Sequence, residues 1–294
     1  MKKVLFLMVA MSAMGVMNVD SKGIEVGVKG GLTIPKLTTG GSDTDTPLSE
    51  GYSSIMTFGG GVFADFLMTK TFSIQTGLEF SRQGGRKDGV QALPAPEIYA
   101  GAVAANPQFA AMQDYLPADY LYADLKNKVR FNYLMLPVQA KLGWNLSQQS
   151  PFRFYVSAGV FGAYLMSADQ ISKGTFPPFY ANEAKGSLSA WAIANKPALG
   201  MMPEANKLMI LGGIEQFANA QQAVNETKDM IADIRRGNFG VIGAVGLSCK
   251  VNTKSKLLLE AGGNYGLLKL QKEVKNGQNR IGAASLMLGY AVLF

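Results

Sequence analysis

Histidine is absent from all 294 residues. The chain therefore has no Ser-His-Asp or Cys-His catalytic arrangement, no imidazole metal ligand and no histidine proton relay. Cysteine is almost absent. Cys249 has no partner for an internal disulfide, and its alternation with Val245, Leu247 and Val251 marks a small apolar wall residue rather than a reactive thiol. Nor is there an uninterrupted apolar run of about 18 residues or more, the length a membrane-spanning helix needs. Charged residues make up only 17%, and the net charge of +7 is scattered without an accompanying motif, which argues against a nucleic-acid partner. Phosphate-cradling loops and metal-ligand clusters are missing as well. Gly59 to Gly61 lack a following Lys-Ser/Thr, and no cofactor is expected.

What is present is glycine, 34 residues of it, with 16 Phe and 11 Tyr. The dominant pattern is two-residue alternation. Eight segments of roughly 10 to 16 residues carry it, the length a tilted strand needs to cross a bilayer. They run from Ile24 to Leu37, Met56 to Met68, Phe72 to Gln83, Val129 to Asn145, Phe152 to Met166, Phe239 to Asn252, Lys256 to Leu268 and Arg280 to Phe294. In the fourth, Leu134, Leu136, Val138, Ala140, Leu142 and Trp144 alternate with Tyr133, Met135, Pro137, Gln139, Lys141 and Gly143. Pro137, mid-strand, removes a ladder donor and predicts a bulge or local irregularity.

Backbone groups in hydrocarbon must all be paired internally, so strands that cross a bilayer close into a barrel. The connections alternate in length as such a barrel requires. Short ones fall near Thr69 to Thr71, Leu146 to Pro151 and Thr253 to Ser255. Long ones fall at Thr38 to Ile55, Gly84 to Lys128, Ser167 to Asn238 and, more briefly, Lys269 to Asn279. An even strand count puts both mature ends on the periplasmic side. A soluble barrel of the lipocalin kind would turn the Leu, Val and Phe face inward and leave Gly27, Gly31, Gly59, Gly61, Gly240, Gly246 and Gly262 in water. Glycine is of more use inside a narrow barrel, where it makes room for long polar side chains. The expected fold is thus all-β: an eight-stranded antiparallel transmembrane up-and-down barrel with helical extracellular insertions at about 84–128 and 167–238.

Lys2 and Lys3 followed by the apolar run Val4 to Met17 have the form of a secretory signal peptide, assigned to residues 1–23, with the barrel occupying 24–294. At the other end, Phe294 closes an alternating strand. A terminal aromatic there resembles the signal read by the outer-membrane assembly machinery, which makes that machinery and outer-membrane lipid the expected partners.

The stretch NYLMLPVQAKL at Asn132 to Leu142, the opening strand GVKGGLTIPKL at Gly27 to Leu37, the strand ending at Glu79-Phe80-Ser81 and the terminal aromatic together resemble the PorT-like outer-membrane barrel family common in Bacteroidetes. The resemblance implies an outer-membrane barrel without an established enzymatic site. One namesake takes part in type IX protein secretion. The two large insertions depart from a compact member.

With apolar faces toward lipid, the opposite faces line the lumen and carry Glu25, Lys29, Asp65, Gln75, Glu79, Gln139, Lys141, Arg153, Tyr155, Lys250, Glu260 and Asn264. Eight strands enclose a space that side chains fill, so these residues are expected to form a packed ion-pair network. A conducting pore would need a wider lumen, and use of Glu79 and Glu260 as paired catalytic acids would need a substrate route. Barrel enzymes that rely on a Ser-His pair are excluded.

The insertions are apolar enough to fold. Pro94 to Leu116 and Pro203 to Arg236 both read as helical, the latter from Pro203-Glu204 to Arg235-Arg236-Gly237 with a kink at Gly212-Gly213. Such helices either pack together as a cap over the barrel mouth or present a docking surface to a protein or glycan. Candidate partner-binding residues are Phe176, Phe179, Tyr180, Trp191, Met209 and Phe217. The rigid aromatic stretch Phe176 to Tyr180 could equally anchor a loop at the membrane interface. These readings lead to binding or assembly at the cell surface, of which membership of a secretion or uptake complex is one form. A small channel and a lipid- or glycan-modifying enzyme are the competing classes.

Overall fold

A computed structural model describes residues 23–38, 51–176, 178–220, 222–273 and 279–294. The proposed signal peptide, but for its last residue Gly23, lies outside these residues. The described residues form nine strands: β1 (Ile24–Thr38), β2 (Thr57–Leu67), β3 (Phe72–Pro94), β4 (Tyr120–Asn145), β5 (Phe152–Phe176), β6 (Gln222–Asp229), β7 (Gly237–Lys250), β8 (Ser255–Gly266) and β9 (Arg280–Leu293). Every strand pairs antiparallel with its neighbours. The order β4-β3-β2-β1-β9-β8-β7-β5, closed by β4 on β5, makes an eight-stranded ring, and β6 adds to β5 outside it.

The faces sort as an inverted protein. Val28, Leu32, Phe58, Val62, Val160, Val245 and Leu286 are each about half exposed on the outer wall and Leu288 more so, whereas Lys29, Asp65, Gln75, Gln139 and Lys141 are buried inside. An apolar surface of this extent on every strand is incompatible with water and fits lipid. From Trp144 up to Leu134, ten residues at ~3.3 Å and a tilt of roughly 40° span about 25 Å, the height of a bacterial barrel's apolar belt. No helix among the described residues is long and apolar enough to cross a membrane.

All eight expected strands are in the ring, but three run on past it. β3, β4 and β5 continue to Pro94, from Tyr120 and to Phe176, and they stay paired through Pro94↔Tyr120 and Lys126↔Lys173. Much of what reads as long connection is therefore a sheet rising beyond the belt. The expected helix over Pro203 to Arg236 is corrected too: it stops at Ala218 and the chain returns as β6. The reason is backbone satisfaction. β7 begins opposite Tyr164, so the β5 edge from Asp169 to Phe176 would be left unpaired, and β6 covers it. At Pro137 the β3–β4 ladder is interrupted between Thr76↔Val138 and Glu79↔Met135, as the missing N–H requires; the Thr76 hydroxyl donates to the Pro137 carbonyl at 2.9 Å. The register shift lies higher, at Asn132/Tyr133.

Three helices cluster beside the raised sheet: α1 (Ala95–Ala105), α2 (Leu188–Asn195) and α3 (Glu204–Ala218). Pro94 and Pro203 precede α1 and α3, each with an acid in its first turn, and the Ser187 hydroxyl caps α2 by accepting from the Ala190 N–H. Together with the 3₁₀ turns Pro107–Ala111 and Pro197–Met201 they bury Tyr99, Phe109, Leu116, Leu188, Leu199 and Ile214 against Leu121 of β4. This second core is a folded head on the end of the barrel opposite the termini. Ile24 and Phe294 exchange backbone hydrogen bonds at the other end, which also carries the three short turns.

Candidate functional site

Inside the ring, alternation aims the polar residues of every strand at one another. The Lys29 ammonium sits 2.8 Å from Glu79 and 3.0 Å from Glu260, and the Tyr155 hydroxyl donates to the other Glu260 oxygen at 3.1 Å. One layer lower, the Lys141 ammonium lies 3.0 Å from both Asp65 and Gln75 and 4.1 Å from the centre of the Tyr155 ring. Lys256 pairs with Glu25. Arg153 closes the lower end by donating to the carbonyls of Lys70 and Gly143. Tyr155 fits because position 246 has no side chain: a Cβ on Gly246 would overlap its ring. Voids beside Lys29 and beside Lys141 are about 20 and 10 Å³, about one water each.

Glu25, Lys29, Asp65, Glu79, Lys141, Arg153 and Glu260 are therefore brought together. Lys250 shares their strand face but is exposed at the rim. Lys256, which pairs with Glu25, was missed, although its alternation with Leu257 and Leu259 places it on the inner face. Glu79 and Glu260 share the one Lys29 ammonium. Among the described residues no group of His, Cys, Asp or Glu could hold a metal ion.

Above the polar layer the ring is plugged by apolar side chains. Phe131, Met135, Phe161, Leu165 and Ile281 converge from the wall. Ile234 and Leu270, both almost fully buried, come from the connections above. The plug is fixed through its backbone: Met230 donates to Ala168, Leu165 to Arg236, and Arg235 to Leu270.

Over this plug the raised sheet encloses a vestibule of about 430 Å³, walled by Tyr52, Gln91, Asn127, Gln170, Lys228 and Asp233 among others. Gln91 donates to the Leu125 carbonyl at 2.6 Å and accepts from the Asn127 amide at 2.8 Å. That leaves the buried Asn127 Oδ1 without a protein partner among the described residues. Desolvation raises the Tyr52 phenol above its usual range, so it stays a neutral hydrogen-bond donor. The concavity is lined mainly by polar and charged side chains, with Leu37, Phe131 and Ile234 in its apolar part.

The candidate partner-binding residues distribute differently. Phe179 and Phe217 stack at 5.3 Å, and Phe217 is 4.5 Å from Phe109, inside the head core. Trp191 packs against that core with Lys196 over its ring. Tyr180 bridges to Tyr122 in the sheet. Phe176 ends β5, and its side chain lies outside the described ones. Of the five with described side chains, only Met209 is largely exposed, next to exposed Leu208 on α3. Phe294 is exposed at the opposite end.

A closed antiparallel ring with an apolar exterior and a charged interior is the architecture of a bacterial outer-membrane barrel. The sequence profile of the outer membrane protein beta-barrel domain matches residues 12–272. The chain belongs to that family. Membership in the outer membrane protein beta-barrel family places it in the bacterial outer membrane. No curated protein matches the sequence. Among solved structures, Neisserial surface protein A aligns at 10% identity and a TM-score of 0.38, over 93% of this chain and 99% of that one. The attachment invasion locus protein of Yersinia pestis aligns at 8% and 0.34, over 92% and 99%. OprG of Pseudomonas aeruginosa aligns at 8% and 0.37, over 94% and 98%.

Proposed function

We propose that this is a non-conducting binding protein of the cell surface: the barrel is an anchor, both termini are periplasmic, and the vestibule under the raised sheet is a small-ligand site. The observation that carries the reading is the pairing of a closed lumen with an open cavity directly above it. Ion pairs and the Ile234–Leu270 plug block passage, whereas the vestibule offers an unmet acceptor at Asn127. The ligand is of mixed character, with an N–H or O–H donor for Asn127 and an apolar part for Phe131 and Leu37. We also place the protein in the PorT-like class, where Phe294 acts as the assembly signal and the protein has no enzymatic role. Isolation from native outer membranes in mild detergent, followed by mass spectrometry of small molecules released on unfolding, tests the reading. The account expects a compound that accompanies the intact chain and is lost with Asn127→Leu, which fills the acceptor site. A cavity empty in both proteins would contradict it.

Assembly with a protein partner is a second reading, favoured by the exposed apolar Leu208 and Met209 on α3. Shortening the Ser167 to Asn238 insertion should release such a partner; an unchanged set of co-purifying proteins would count against it.

A further inference from the structure

The outer wall changes character abruptly at one height on one side of the barrel. Along β4 the outward positions run Leu142, Ala140, Val138, Leu136 and Leu134, then Asn132, Arg130, Lys128 and Lys126. On β3 the outward Phe80 is followed by Arg82, Gly84 and Arg86. The cross-strand register sets Arg86 directly opposite Lys128, and Lys126 opposite Lys173 of β5. Two like-charge pairs facing each other on one sheet are unfavourable unless an anion lies between them. Around Lys128, desolvation first and then the fields of Arg130, Arg82 and Arg86 hold its ammonium below the usual lysine range. The nearby acids are Asp88, 3.7 Å from Arg86 and directly opposite Lys126, and Asp169, opposite Arg130 on β5. Among the described residues no carboxylate lies within ion-pair distance of Lys126, Lys128, Arg130 or Arg82.

Arg82 is fixed at the boundary. Its Nε donates to Asn132 Oδ1 at 2.9 Å and its guanidinium lies 5.0 Å over the Phe58 ring, with Phe80 beside it. The aromatics mark the end of the hydrocarbon belt. The cations begin within one or two residues above it, which is headgroup depth.

We propose that this outward face of β3 and β4 binds a phosphate-bearing lipid headgroup, with Arg82, Arg86, Lys128 and Arg130 clasping the phosphate while the acyl chains lie along Leu134, Leu136 and Phe80. Continuity with the apolar belt selects a lipid over a free anion, and the fork geometry of three arginines suits phosphate oxygens.

Native mass spectrometry of the full chain in mild detergent tests this. The titrants are a phosphatidic acid, a phosphatidylcholine of the same acyl chains, and inorganic phosphate. The wild-type protein is expected to bind phosphatidic acid about tenfold more tightly than phosphatidylcholine, in line with the attraction of a few cations at headgroup depth. Lys128→Gln with Arg130→Gln should erase that preference. Lys196→Gln with Lys207→Gln, the same charge change on the head, should keep it. Removing Lys128 relieves the repulsion from Arg86, so the first variant is expected to fold, with heat-dependent gel mobility as the check. An undiminished preference in the Lys128/Arg130 variant, an equal loss in the head variant, or displacement of the lipid by millimolar free phosphate would each overturn the proposal.

Discussion

Lys141 and Asp65 set the lower lumen. The Asp65 side chain is 1% exposed, and its charge is tolerable only because the ammonium lies 3.0 Å away with Gln75 beside it. Lys141→Met should cost about 3–5 kcal/mol by leaving a buried carboxylate uncompensated. Urea unfolding in lipid vesicles would measure it, and Asp65→Leu added to Lys141→Met should restore most of the loss. If the double variant stays as unstable as the single one, the pair is not what holds this layer. Gly246 tests the packing side of the same network. Valine there would drive the Tyr155 ring off its place between Lys141 and Glu260, with an expected loss of about 1–3 kcal/mol from overpacking. The same substitution at the exposed Gly237, where a Cβ meets nothing, should be close to neutral.

The plug is the element whose behaviour separates mouth from wall. Ile234→Asp puts a charge into an apolar layer where the residue is 1% exposed. The expected result is faster amide exchange across Met230 to Arg236 while the β1–β9 ladder keeps its protection; collapse of both together would mean that the plug and barrel are one cooperative unit. This element was not legible in the sequence, and the reason is instructive. The eight ring strands announced themselves because lipid outside and charge inside force alternation over their full length. Above the belt both environments are mixed. Leu121, Ala123 and Leu125 still alternate with Tyr122, Asp124 and Lys126, but on the paired strand turn-prone Gly84, Gly85 and Gly89, opposite Arg130, Val129 and Leu125, read as loop. β6 carries little strand signal of its own and forms because β5 offers an open edge, a tertiary cause that no local pattern records. The lumen residues were readable from strand parity alone. The vestibule was not, since Gln91, Asn127 and Gln170 meet only through the raised sheet.

At the scale of the molecule, the account divides the chain into an anchoring ring and a surface head. Cys249 stands near the end that holds the termini, so a variant with Cys249→Ala and Met209→Cys carries its single thiol on α3. A membrane-impermeant maleimide should label it in intact cells; labelling only after the cells are broken would reverse the orientation. The division also implies that nothing flows through the ring, because ion pairs fill its lower half and Phe131, Ile234 and Leu270 close its mouth. Planar-bilayer recording of the purified, reconstituted protein tests that claim most directly. The account predicts silence from the wild type, and also from Ile234→Asp, since the polar layer beneath the plug remains packed. Discrete conductance steps from the wild-type protein would contradict it and make the vestibule the entrance of a channel.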